Sequence, residues 1–154
     1  MRAAFKALAE YLQVGLDSFP GARVTVHRDY AYGVSAPYVV LTAGASPTSS
    51  MLGGQVVGAN DGSMTAICVG VTADQVRWVA DNVRSVFSPD LRPLRFTADG
   101  RHIEVSWRPS DLEVEVDRDM TLPGTSTHPA VAHEFYRYSA HRVATPDHSG
   151  SQSS

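Results

Sequence analysis

Cysteine occurs once in the 154 residues, at Cys68. One thiol excludes an intrachain disulfide and any zinc site built from several cysteines. Within an apolar run it reads as a buried small hydrophobe. No stretch approaches the roughly 18 consecutive apolar residues that span a bilayer as a helix. Arg2 and Lys6 precede an amphipathic segment with no long apolar core, so a signal peptide is not expected. Basic excess is also missing: 13 Lys and Arg stand against 16 Asp and Glu, a net charge of −3. That balance supplies no bulk basic field and disfavours a nucleic-acid partner.

Chemical motifs are equally scarce. Gly53-Gly54 and Gly58 do not make a Gly-x-Gly-x-x-Gly turn, no Gly-Lys-Ser/Thr follows, and there is no Gly-x-Ser-x-Gly elbow. The histidines are His27, His102, His128, His133, His141 and His148; His133-Glu134 lacks a second histidine at the spacing of a zinc helix. No catalytic, cofactor-binding or metal-binding residues are assigned, and an enzyme is not expected. Only a site assembled from distant His and Asp residues, such as His27, His102 or Asp74, would rescue that reading.

What is present is centred on Gly62 to Phe87. Ser63 to Val71 is apolar and rich in β-formers, which predicts a buried strand. Thr72 and Gln75 form a Thr-x-x-Gln capping box. Val76, Val79, Ala80, Val83, Val86 and Phe87 then recur at helical spacing, with Asp74, Arg77, Asp81 and Arg84 expected on the outer side. Ser88-Pro89-Asp90 stops the helix.

An earlier helix is predicted over Met1 to Leu16, with Phe5, Leu8, Ala9, Leu12 and Leu16 in one stripe and Gln13 away from it. Arg23 to Arg28 alternates as a half-buried strand, Asp29 to Pro37 is a loop carrying Tyr30 and Tyr32, and Tyr38 to Thr42 is a short strand. Ala43 to Asp61 is rich in Gly, Ser, Ala and Thr. It reads as a long contact loop or as an extended hairpin arm around Gln55 to Val57. Its apolar and central residues, Met51, Leu52, Gln55, Val56 and Val57, are the candidate protein contacts.

Leu94 to Trp107 predicts a hairpin turning at Asp99-Gly100, with Ile103, Val105 and Trp107 on one face. Asp111 to Met120 alternates again: Leu112, Val114 and Val116 inward, Asp111, Glu113, Glu115 and Asp117 outward. Carboxylates two apart on a strand are roughly 6.5–7 Å apart and do not converge as a calcium loop does. They read as a solvated face, or as a charged inter-subunit face at Glu113, Glu115 and Asp117 opposite arginines such as Arg95, Arg101 or Arg108. Thr121 to Pro129 is a second loop, and His133 to Val143 a final strand. Residues 1–143 read as one domain and 144–154 as a disordered tail. The predicted fold is α+β: a mixed, mainly antiparallel sheet with two helices on one face and long loops.

In this order the residues resemble a family. VGVTADQVRWVADNVRSVF (Val69 to Phe87), YVVLTAG (Tyr38 to Gly44), VEVDRDMTLPG (Val114 to Gly124) and HEFYRYSAHRV (His133 to Val143) are similar to the small tail-terminator proteins of long-tailed phages, particularly those infecting actinobacteria. The resemblance implies a structural virion protein and no enzyme. It implies a self-associated ring, a hexamer, on the head-proximal end of the tail. The ring's partners are the tail tube protein and the head–tail connector, and the protein is made in the host cytoplasm and resides in the virion. DNA passes through such a ring without sequence-specific contacts, and neither membrane nor cofactor is involved. The family supplies no contact motif for single positions. A head-completion or neck protein of related fold and a bacterial small-ligand binding module remain the alternatives.

Overall fold

A computed structural model describes residues 2–45, 51–52, 55–56 and 59–142. Helix α1 is Arg2–Asp17. Strands β1 (Thr25–Arg28), β2 (Tyr38–Ala45), β3 (Met51–Leu52), β4 (Gln55–Val56) and β5 (Ala59–Gly70) follow. Helix α2 is Ala73–Phe87, and a single 3-10 turn spans Pro89–Leu91. Then come β6 (Leu94–Ala98), β7 (Arg101–Arg108), β8 (Glu115–Val116) and β9 (Ala130–Arg142). The main sheet runs β1-β2-β5-β9-β7-β6, with β8 also on β9; β3 and β4 pair with each other. Among the described pairings β1 and β2 are parallel and the rest antiparallel. This is the α+β fold that the patterning predicts.

Two-residue periodicity orients the sheet. On β9, Ala130, Ala132, Glu134, Tyr136, Tyr138 and Ala140 face the helices, and the residues between them face away. Met64, Ala66 and Cys68 of β5 and Ile103 and Val105 of β7 share the helical side. There they meet Leu8 and Leu12 of α1 and Val76, Val79, Val83 and Phe87 of α2. The second half of β5 is apolar on both faces, Ala66 and Cys68 inward and Ile67 and Val69 outward, because both faces are covered there. Tyr38, Val40 and Val69 form a second small core on the outer side, beneath Ala31, Val34 and Ala36 of the 29–37 loop. Among the described residues nothing covers the other half of the outer face.

Local signals set the element ends. Thr72 caps α2, its hydroxyl accepting from the Gln75 amide at 3.2 Å. The Gln75 side chain reaches one residue further back than in a standard capping box, accepting from the Val71 amide at 2.8 Å. Asp99 and Gly100 both take positive φ, 51° and 71°, at the β6–β7 turn, which is why Asp-Gly stands there. Gln13 of α1 is not idle. Its amide accepts from the Val26 N–H at 2.8 Å and donates to the Val24 carbonyl at 2.9 Å. Those bonds satisfy backbone on the sheet edge that β1 would otherwise leave open.

Several predicted boundaries move. β5 begins at Ala59 rather than Ser63, and β2 continues to Ala45 rather than Thr42. The polar and glycine residues Asn60, Asp61 and Gly62 are weak strand formers, but β9 pairs with them from Ala59↔His141 to Gly62↔Tyr138 and supplies their ladder. Gly62 is required there: a Cβ would stand 2.2 Å from the Gly44 carbonyl oxygen and 2.8 Å from the Tyr138 ring. The described residues of the predicted Ala43 to Asp61 loop are therefore strand. Its β3–β4 pair (Met51↔Val56, Leu52↔Gln55) matches the hairpin-arm alternative. Asp111 to Met120 is corrected the other way. Only Glu115–Val116 forms a ladder, on the short stretch of the β9 edge that β7, ending opposite Phe135, leaves free.

Candidate functional site

The described residues offer two places where polar chemistry concentrates: one sealed, one open.

The sealed one lies between α2 and the sheet. Glu134 projects from β9 toward α2 and is 1% exposed. Arg84 Nη2 donates to its Oε1, and Trp107 Nε1 donates to its Oε2 at 2.9 Å. The Arg84 guanidinium also lies 4.4 Å from the centre of the Trp107 ring, and its Nη1 is 3.9 Å from Asp81 Oδ1. This corrects the outer-row placement of Arg84, which is turned inward by the buried carboxylate. Both carboxylate oxygens hold donors, so the group acts as a clamp joining helix to sheet. Burial first, and Glu134 second, push the Cys68 thiol well above its ordinary range, with Arg84 opposing. Cys68 is thus held protonated and is no nucleophile. Glu134 escaped notice in the sequence, although its place in the two-residue row Ala132, Glu134, Tyr136 was the signal.

The same burial acts on the tyrosines. It pushes the Tyr136 and Tyr138 phenols up; Tyr38 is raised by burial first and by Asp117 second. The folded chain therefore holds these protons more tightly than the unfolded chain, whose phenols titrate near pH 10. The corresponding stability is complete below about pH 10 and is lost as pH rises beyond it. The urea midpoint is expected to hold up to about pH 9.5 and fall above it, with the slow fraction of phenolate absorbance appearing together with unfolding. Full phenolate absorbance in a still-folded protein would contradict this.

The open place is the uncovered half of the outer sheet face, a concavity of about 780 Å³. Asp61 and Ser63 come from β5, Glu104, Ser106 and Arg108 from β7, and Arg137, Ser139 and His141 from β9. Arg95 on β6 holds Glu104 at 2.6 Å, and that bond is also what raises the Arg95 guanidinium's affinity for its proton. Arg108 and Arg137 enter no ion pair among the described residues.

The predicted acidic face is only partly gathered. Glu113 and Glu115 are exposed and Asp117 half-buried. Leu112 and Val114 pack inward as expected, whereas Val116 is 53% exposed because it lies past the packed layer. None of the three acids pairs with an arginine among the described residues, so the intrachain form of the opposed arginine row is absent there; Arg95 serves Glu104 instead. Of the predicted arm contacts, Met51, Leu52, Gln55 and Val56 lie on the β3–β4 pair, and Val57 falls outside the described residues. The histidines are scattered: His27 bonds Thr25, His102 bonds Thr97, and His128 meets the Met120 carbonyl at 2.6 Å. Among the described residues no three His, Cys, Asp or Glu side chains gather as a metal site.

No protein-family model and no curated protein matches the chain. Among the solved structures that are similar, one matches at 16% identity over 89% of this chain and 92% of its own, with a TM-score of 0.48; its name states no activity, and so distant a likeness carries no functional argument.

Proposed function

We propose that this protein is a ring-forming tail terminator of a long-tailed phage. In this role it caps the head-proximal end of the tail tube, ends tube polymerisation and offers the head its joining surface. The reading rests on the segments that resemble that family. They fall on β2, on the β5–α2 unit, on residues 114–124 and on β9, which together are the sheet centre and the helix packed on it. The layout suits an assembly part. Both helices serve one face, which leaves half of the other face uncovered among the described residues. Its partners are then further copies of itself, the tube protein and the head–tail connector, and its place is the virion. Six weak contacts acting together suffice for such a cap through effective concentration.

The test is polymerisation of purified tube protein with and without this chain. The expected result is tubes that stop growing and carry a ring at one end in negative stain. Unchanged growth with bare ends overturns the proposal, and binding to filled heads in place of tubes reassigns the protein to the neck.

A further inference from the structure

We infer that the outer sheet face is a self-recognition surface: Arg108 and Arg137 of one copy receive Glu113 and Glu115 of the next. This deepens the ring reading and rests on it for the direction of assembly.

The first observation is that all four charges lack an ion-pair partner among the described residues. The second is that the fold keeps them apart within one chain. Glu115 stands opposite Val131 and Arg137 opposite Ser106 on the same strand, β9. Six residues of strand separate those rows by roughly 20 Å. Arg108, opposite Phe135, is about 13 Å from the Glu115 row. Of the acids in the concavity, Glu104 is held by Arg95 and Asp61 pairs with neither arginine among the described residues, so both charge pairs are left open to a second copy.

The third observation is the spacing. Arg108 pairs with Phe135, so Arg137 is its diagonal neighbour across the ladder. Such neighbours are about 7–8 Å apart. Carboxylates two residues apart on extended chain are separated by roughly 6.5–7 Å. Two guanidinium groups and two carboxylates therefore come into register together. The basic pair sits in a concavity, while the acidic pair is exposed, Glu115 on β8 and Glu113 just before it.

Duplex DNA fits this surface less well. The net charge of −3 adds no attraction for a polyanion at longer range, and two arginines offer no continuous basic track along a phosphate backbone. Each copy carries one basic and one acidic end, so the contact passes from copy to copy, and closes as a ring if the rotation allows.

The test uses two full-length variants, R108E/R137E and E113R/E115R, beside the wild type. Light scattering on a sizing column reads mass against concentration. The wild type should associate, less so as salt rises. Each variant alone should associate at least about tenfold more weakly, since like charges then meet. An equimolar mixture should recover assembly, because intact and reversed surfaces alternate around an even-numbered ring. Recovery also shows that both variants fold. Variants that associate like the wild type overturn the inference, as does a mixture that stays dissociated or a wild type monomeric at every concentration. Loss of duplex binding by R108E/R137E with self-association intact gives the surface to nucleic acid instead. Tube capping is read separately, so a chain that passes the mixing test but leaves tubes uncapped loses the terminator reading alone.

Discussion

Glu134→Ala is expected to destabilise the fold by about 3–5 kcal/mol, the usual cost of removing one partner of a buried ion pair. The reason is what it leaves behind. Arg84 keeps its charge beneath the α2–sheet junction without its carboxylate, and the Trp107 N–H loses its acceptor. Arg84→Met is expected to cost a similar amount, since a carboxylate 1% exposed is then unpaired. The double variant E134L/R84M should recover most of the loss, because two apolar groups leave no charge to solvate. Urea unfolding of the wild type, Glu134→Leu, Arg84→Met and the double variant gives the coupling energy directly. Single variants within about 1 kcal/mol of the wild type would show that water reaches the clamp freely and that it does not join helix to sheet.

Phe87→Ala should be comparably severe, about 3–5 kcal/mol. Phe87 is fully buried at the end of α2, and its ring meets Tyr136 edge-on with centroids 5.2 Å apart. Truncation removes this contact from the helix–sheet interface and leaves a cavity that a β-strand on one side and a helix end on the other cannot close. Tyr136→Phe is the informative companion. The Tyr136 hydroxyl is buried and meets no hydrogen-bond partner among the described residues, so its removal should cost under about 1 kcal/mol. Thermal melts of both variants test the pair. A Tyr136→Phe loss as large as that of Phe87→Ala would mean that the hydroxyl, and not the ring, carries this part of the core.

The two effects share a cause that sequence patterning reveals only in part. The apolar stripe of α2 was legible because helical spacing survives in one dimension: Val76, Val79, Val83 and Phe87 are buried as their positions imply. Arg84 lies in the charged row of the same helix, and nothing local distinguishes it from Arg77. Arg77 stays exposed beside Asp74 at 3.1 Å, whereas Arg84 turns toward a carboxylate 50 residues away. Only the pairing of sheet and helix creates that difference.

The open face divides in the same way. Alternation from Asp111 to Asp117 correctly separated Leu112 and Val114 from Glu113 and Glu115. It did not foresee that β7 would take the edge of β9 and leave only Glu115–Val116 to pair. Nor did it place Arg108 beside Arg137, since their proximity is a matter of strand register.

By itself, then, the sequence determined the helices, the Asp99-Gly100 turn, the Thr72 cap and the inward faces of the strands, because these follow from spacing and side-chain chemistry within a few residues. Tertiary structure alone decided the length of β5, the Gln13 bonds to the sheet edge, the Glu134 clamp and the charge layout of the outer face. Each depends on a partner far along the chain, and hydrogen-bond ladders and ion pairs take their partners from whatever folding brings within reach.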